Sequence, residues 1–91
     1  MRFEWDDVKS ESNVTKHGID FETATLLWQD VNRIGIGTPY PIENRTIVIG
    51  KIGRNLWAAI ATKRDDATRI IPVRRARKKE VQLYGQEKTR E

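Results

Sequence analysis

The first third of the chain carries its apolar residues at helical spacing, which predicts two helices. Asp7–His17 holds only two apolar residues, Val8 and Val14, so we predict a surface helix. Asp6 is its expected N-terminal cap and Gly18 its left-handed C-terminal cap. Phe21–Gln29 is predicted as a second helix because its apolar residues fall on one side. That side consists of Phe21, Ala24, Thr25, Leu27 and Trp28. The second helix should therefore supply much of the core.

The middle of the chain changes to the pattern of β-strands. Four strands are predicted, at Arg33–Gly37, Arg45–Lys51, Leu56–Thr62 and Thr68–Val73. Tight turns at Ile52–Asn55 and Asp65–Asp66 make the last three strands antiparallel. Pro72 has no N–H to donate, so we expect the fourth strand to be interrupted there or to lie at an edge. Thr38–Pro41 contains two prolines and is predicted to form a rigid loop.

A last helix is predicted over Arg74–Gln86, with Ala76, Glu80, Leu83 and Tyr84 on one face. The order of elements is then two helices, four strands and one helix. Strands joined by tight turns form an antiparallel meander, and the helices must cover its apolar face. The expected fold class is therefore α+β, in one domain that takes up all 91 residues.

The composition excludes several kinds of chemistry. The chain has no cysteine, which rules out disulfides, thiolate metal sites and a cysteine nucleophile. His17 is the only histidine, so a zinc site would depend almost entirely on carboxylates, and we expect no metal and no cofactor. The longest apolar stretch, Leu56–Ala61, is too short to span a membrane, and Met1–Asp7 lacks the apolar run of a signal peptide. We therefore expect a cytoplasmic protein without membrane contact.

Positive charge is concentrated in the last third of the chain. The formal net charge is +4, yet residues 1–62 hold seven basic and eight acidic side chains. Residues 63–91 hold ten basic and five acidic ones, and the densest run is Arg74–Lys79. Such an asymmetry is typical of a protein that binds a polyanion. A solvated basic helix face is the other interpretation, and the charges alone leave both open.

His17 is the first candidate for proton transfer. Histidine is the residue type that most readily gives and takes protons near neutral pH, so His17 is a candidate general acid or base. Alternatively, His17 caps the end of the first helix through a carbonyl.

Three arginines recur at five-residue intervals across the fourth strand and its ends: Arg64, Arg69 and Arg74. Guanidinium groups match phosphate bidentately, so we expect these three to converge into one pocket for an RNA phosphate. The alternative is that these arginines only keep an exposed sheet edge soluble.

Glu80, on the inward face of the last helix, needs a partner such as a sheet arginine. It would accept a proton, orient that arginine or form an ion pair. Tyr84 either stacks on a base or packs in the core.

A series of short motifs runs from residue 3 to residue 84. Its first half consists of Phe3-Glu4-Trp5-Asp6, Lys9, Asn13, Lys16-His17-Gly18-Ile19, Phe21 and Ala24. Its second half consists of Glu43, Arg45, Gly50, Arg64, Arg69-Ile70-Ile71, Arg74, Ala76, Glu80 and Tyr84. In order and spacing, these motifs resemble the BrnT family of type II toxins.

The resemblance implies a RelE-like ribonuclease toxin that cleaves RNA without a metal and inhibits translation. It implies a BrnA-type ribbon-helix-helix antitoxin as partner, a heterotetramer around an antitoxin dimer, and operator DNA bound only through the antitoxin. The implied catalytic residues are His17, Arg64, Arg69, Arg74, Glu80 and Tyr84. The expected RNA-binding residues are Lys16, Arg45, Arg75, Arg77 and Lys78.

Two positions depart from the pattern that the family usually shows. Pro72 stands where a small residue, often serine, is usual, and Val73 replaces an alanine. Pro72 removes a backbone donor beside the expected site. A second hypothesis is therefore a catalytically weakened module that binds the antitoxin or nucleic acid through the same basic face. A DNA-binding regulator is disfavoured because the chain has no helix-turn-helix signature.

Overall fold

The computed structural model of the chain describes residues 1–37 and 45–89. Its helices are α1 (Asp7–His17), α2 (Phe21–Ala24), which continues as a 3₁₀ helix (Thr25–Gln29), and α3 (Lys78–Thr89). Its strands are β1 (Arg2–Glu4), β2 (Ile34–Gly37), β3 (Arg45–Ile52), β4 (Asn55–Arg64) and β5 (Ala67–Arg75). The predicted loop Thr38–Pro41 lies outside the described residues. None of the helices in this part of the chain has the length and apolar content that crossing a membrane requires.

The strands form a single five-stranded sheet in the order β1-β5-β4-β3-β2. The four strands predicted from the sequence pair antiparallel, whereas β1 lies parallel to β5, with Glu4 beside Arg69. The α+β class is confirmed, and the expectation of four antiparallel strands is wrong because the sheet has five strands and is mixed. The short β1 was not predicted because three residues are too few to establish a strand pattern, and its partner lies 65 residues later in the chain.

One face of the sheet packs under α1, α2 and the 3₁₀ helix, and we call it the α1 face. Its core includes Phe21, Leu27, Ile70 and Val73, all at most 2% exposed. The predicted second helix tightens into a 3₁₀ helix after Ala24. Its buried residues Phe21, Ala24 and Leu27 recur at every third residue, which matches the three residues per turn of a 3₁₀ helix. A Cβ at Gly50 would lie 3.1 Å from the Leu27 side chain, so glycine allows this close approach.

The first helix extends over the predicted residues and has the predicted ends. The Asp6 carboxylate accepts hydrogen bonds from the backbone N–H groups of Val8 and Lys9. Gly18 ends the helix in the left-handed region, at φ 82°. Val8 and Val14 are exposed, as expected of a surface helix.

The buried side of α1 is polar, because Ser10 and Asn13 face the sheet instead of apolar residues. The amide nitrogen of Asn13 donates to the carbonyl oxygens of Ile19 (2.8 Å) and Val73 (2.9 Å), and its Oδ1 accepts from Val73 N–H (3.2 Å). The Ser10 hydroxyl accepts from Phe21 N–H. Asn13 thus completes the hydrogen bonding of β5 at Val73, beyond the end of β1.

Pro72 interrupts the ladder between β4 and β5, as predicted, but it does not end the strand. The flanking pairs leave Ile71 and Pro72 together opposite Ile60, which is a β-bulge. Proline is tolerated there because the extra residue of a bulge has no ladder hydrogen bond to make. The strand then continues to Arg75.

The other face of the sheet packs against α3, and we call it the α3 face. Tyr84 packs there with Ile49 and Ala58. The helix begins at Lys78, so the prediction that it starts at Arg74 is wrong. Arg74 and Arg75 belong to β5, because pairing with β4 overrides the helical propensity of the basic run.

Candidate functional site

Three arginines lie on the α3 face near one end of the sheet. Arg45, Thr62 and Arg69 are neighbours across β3, β4 and β5. Two strand spacings therefore separate Arg45 from Arg69, or about 10 Å. Arg64 lies two residues beyond Thr62, and the alternation of β4 places it on the same face. We call Arg45, Arg64 and Arg69 the arginine row.

The arginine row meets a carboxylate from β1. Nη1 of Arg69 donates to Oε2 of Glu4 at 3.0 Å, and Nη1 of Arg64 lies 3.9 Å from the same oxygen. The Arg64 side chain is 63% exposed, against 30% for Arg69. Glu4 therefore fixes Arg69 and holds Arg64 loosely. Because two guanidinium groups share one carboxylate, Arg64, Arg69 and Glu4 together carry a charge of +1.

Arg74 forms a second ion pair, at the other end of β5. Its Nη1 and Nη2 donate to Oε1 and Oε2 of Glu80 at 2.7 and 2.9 Å, which is a bidentate geometry. Oε1 also accepts from Arg77 N–H at 2.8 Å, so Glu80 caps the start of α3. The hydrogen bond from Arg74 lowers the pKa of Glu80, and the same bond raises the pKa of Arg74. The prediction that Glu80 pairs with a sheet arginine is confirmed.

The three arginines of the five-residue series do not share one pocket. Arg64 and Arg69 meet at Glu4, whereas Arg74 is held by Glu80. Arg69 and Arg74 lie on the same strand and face, about 15 Å apart along β5. The expected convergence is replaced by two clusters on the α3 face, because the strand length between the arginines keeps them apart.

The remaining basic residues of the run point in different directions. Arg75 pairs with Trp57 on the α1 face, and its guanidinium lies 5.4 Å from the centre of the indole ring. Arg77 and Lys78 are exposed at the start of α3. A run that is continuous in sequence is thus divided between two faces and a helix end.

Tyr84 is a buried residue that ties α3 to the sheet. Its hydroxyl donates to Oδ2 of Asp30 at 2.7 Å, and the same oxygen accepts from Lys51 N–H at 2.8 Å. Burial, together with Asp30, raises the pKa of Tyr84 to about 12. With 6% of its surface exposed, Tyr84 fits packing better than stacking on a base.

Lys16 and His17 lie at the exposed end of α1. They line a groove of about 320 Å³ between α1 and β5 that also includes Pro72. The helix end itself is capped by Gly18 N–H, which donates to the Val14 carbonyl, so the cap does not depend on His17.

Two carboxylates that organise these clusters were missed by the sequence reasoning. Glu4 holds two arginines and Asp30 holds Tyr84, each across more than fifty residues of chain. Alternation within Phe3–Trp5 is the only local signal for Glu4, and Asp30 has none. Among residues 1–37 and 45–89, no group of three His, Cys, Asp or Glu is placed to hold a metal ion.

Comparison with protein families identifies a match for most of the chain. A family model described as the ribonuclease toxin BrnT of type II toxin–antitoxin systems matches residues 5–80. The match extends from just after β1 to Glu80 and so includes most candidate residues; Tyr84 lies beyond it. No curated protein matches the chain in a sequence comparison.

Proposed function

The chain belongs to the BrnT family of ribonuclease toxins of type II toxin–antitoxin systems, and from this premise we propose that it is a metal-independent endoribonuclease that inhibits translation. The family confirms the resemblance seen in the sequence and implies an antitoxin as partner. We further propose that this partner is a BrnA-type ribbon-helix-helix protein, that two toxins bind one antitoxin dimer, and that operator DNA is contacted only through the antitoxin.

The arginine row is the observation that carries the proposal. Its three guanidinium groups lie on one face of the sheet, and the exposed Arg64 is held only loosely by Glu4. Planar guanidinium groups bind phosphate oxygens bidentately, so the row is suited to successive phosphates of one RNA strand. Arg74 lies further along the same face. Exposed Arg77 and Lys78, at the start of α3, extend this positive surface.

Cleavage requires the RNA 2′-hydroxyl as nucleophile. Its oxygen gives up its proton and attacks the adjacent phosphorus, and the bond to the 5′-oxygen breaks. The departing 5′-oxygen takes a proton from water, so a cyclic phosphate and a 5′-hydroxyl end result. Arg74 stabilises the charge that develops on the phosphorus oxygens. Both oxygens of Glu80 already accept hydrogen bonds from Arg74 or Arg77, which supports a positioning role for Glu80. His17, exposed at the end of α1, is then the proton acceptor.

An RNA cleavage assay in the presence of a chelator tests this mechanism. Arg74→Ala and His17→Ala should each slow cleavage by roughly a hundredfold, because one removes charge stabilisation and the other the proton acceptor. Arg54→Ala is the matched control, since Arg54 is exposed in the β3–β4 turn. DNA of the same sequence should stay intact because it lacks the 2′-hydroxyl. Unchanged cleavage in both variants, or cleavage only with added metal, contradicts the mechanism.

A binding module without efficient catalysis is the second candidate. It is favoured by Pro72 at the bulge and by the carboxylates that already pair with Arg64, Arg69 and Arg74. Expression without the antitoxin separates the two candidates. A toxin stops growth, whereas a binding module is tolerated and still binds the antitoxin.

A further inference from the structure

The edge of β5 that faces away from β4 has two different neighbours along its length. β1 covers this edge from Ala67 to Arg69, and beyond that point α1 lies against it, fixed by Asn13 to Val73. A groove of about 320 Å³ lies between α1 and this part of β5. The change of neighbour therefore leaves a cleft at the edge of the sheet.

The α1 wall of the groove is one stripe of the helix. Lys9, Ser12, Asn13 and Lys16 line it, and their spacing of three, four and seven residues places them on one side. The amide of Asn13 is engaged by the backbone, whereas Lys9 and Lys16 are exposed. Their Cα atoms lie two helical turns apart, about 10 Å, and His17 follows Lys16. This wall thus presents cations at both ends.

The β5 wall of the groove is apolar. It consists of Ile71 and Pro72, the two residues of the bulge, with Phe21 behind them. Both are only partly buried, so they offer a surface to a ligand. Ile71 stands between Arg69 and Arg74 along β5, so the groove borders the edge of the α3 face.

A ligand that matches both walls needs an apolar plane and negative charge. We propose that the α1–β5 groove is a subsite for one nucleotide of RNA, with its base against Ile71 and Pro72 and its flanking phosphates at Lys9 and Lys16. This proposal rests on the proposed ribonuclease function and adds a second contact to the arginine row. The volume suits a single nucleotide, and the ribose then lies beside His17.

Binding of a 2′-O-methyl oligoribonucleotide, which cannot react, tests the subsite by fluorescence anisotropy. The double variant Lys9→Ala/Lys16→Ala should raise the Kd about tenfold and flatten the slope of log Kd against log salt by about 1.4, as loss of two phosphate contacts requires. The control is Lys63→Ala/Lys79→Ala, which removes the same charge from exposed positions outside the groove. The control should change the Kd less than about twofold.

A second variant tests the apolar wall without changing charge. Pro72→Ala removes the ring from the bulge and should raise the Kd several-fold while the salt slope stays unchanged. Circular dichroism confirms that each variant is folded. A Pro72→Ala protein that binds RNA as tightly as the wild type contradicts the position given to the base.

Four results would contradict the proposals, and each can be distinguished from the others. Equal weakening in both double variants means that net charge alone attracts RNA. Unchanged RNA binding with loss of antitoxin binding in Lys9→Ala/Lys16→Ala assigns the groove to the antitoxin. A wild-type protein that cleaves no RNA refutes the ribonuclease proposal itself. If the wild type cleaves RNA but the groove variants bind RNA with the wild-type Kd, only the subsite is refuted.

Discussion

Glu80 shows how one side chain joins two elements. Its carboxylate accepts from Arg74 at the end of β5 and from the backbone N–H of Arg77 at the start of α3. The Arg74 and Glu80 side chains are only 17% and 12% exposed, so solvent screens their interaction weakly. The guanidinium proposed to stabilise the reacting phosphate is therefore held by the same group that starts the helix.

Glu80→Gln should lower the free energy of unfolding by roughly 1–3 kcal/mol, because Arg74 then keeps its charge without a charged partner. Urea denaturation measures the change, with Glu11→Gln on the exposed side of α1 as control. A stability loss no larger than that of the control would show that the pair contributes nothing net.

The contribution of Glu80 should also depend on pH. Its pKa lies below the ordinary value of 4.5 because Arg74 donates to it. A depressed pKa adds stability above the ordinary value, and this stability is lost as the pH falls through the folded-state pKa. The difference in urea midpoint between wild type and Glu80→Gln should therefore shrink as the pH is lowered from 7 through 4. A difference that is constant over this range would contradict the assignment.

The hydroxyl of Tyr84 should lose its proton only at a pH well above that of an ordinary tyrosine. Burial and Asp30 raise its pKa to about 12 from 10.0, so the stability that it contributes is complete below pH 10 and is lost as the pH rises through 12. An alkaline titration of phenolate absorbance should show a step near pH 12 that Tyr84→Phe lacks. The same step in the variant would mean that another group causes it.

At the scale of elements, α1 is attached to the sheet by hydrogen bonds more than by apolar packing. Its valines are exposed, and its buried contacts come from Ser10 and Asn13. The amide of Asn13 takes the place of a neighbouring strand at Val73. The position of the Lys16–His17 end relative to β5 therefore depends on this amide.

Asn13→Ala should destabilise the fold by roughly 2–3 kcal/mol, because the buried N–H and C=O of Val73 lose their partners. Thr15→Ala, on the exposed side of the same helix, should change stability by less than about 0.5 kcal/mol. Hydrogen exchange at the Val73 amide provides a local measurement and should become faster only in Asn13→Ala. Unchanged exchange would contradict the role given to Asn13.

Elements defined by local signals were predictable from the sequence. The caps Asp6 and Gly18 bound α1, and the turn at Gly53, with φ 62°, joins β3 to β4 as predicted. β1 was not predictable, because three residues are too few to establish a periodic pattern and their partner is distant in sequence. The start of α3 was misplaced because sheet pairing, not propensity, decides the conformation of Arg74.

At the scale of the whole molecule, the basic residues that are concentrated in the last third of the sequence lie on different surfaces of the folded protein. Sequence reasoning identified basic residues that do lie on the α3 face, among them Arg64, Arg69 and Arg74. It could not separate them from Arg75, which lies on the α1 face over Trp57. The division into clusters depends on Glu4 and Glu80, whose partners only the folded chain defines.

The net charge of +4 should steer association with the antitoxin. We expect the association rate constant to fall by about tenfold or more as ionic strength rises from low to physiological values, while the dissociation rate constant changes less. Stopped-flow mixing measures both constants. An association rate constant that does not respond to salt would show that charge is not the main attraction.

The pairing of β1 with β5 also determines when the contact between Glu4 and Arg69 can form during synthesis of the chain. Glu4 meets Arg69 only after β2, β3 and β4, which lie between them in the chain, have left the ribosome, because β1 pairs with β5. An unfinished chain therefore lacks the carboxylate contact that fixes Arg69. The arginine row that we propose to bind RNA is therefore incomplete until β5 has been synthesised.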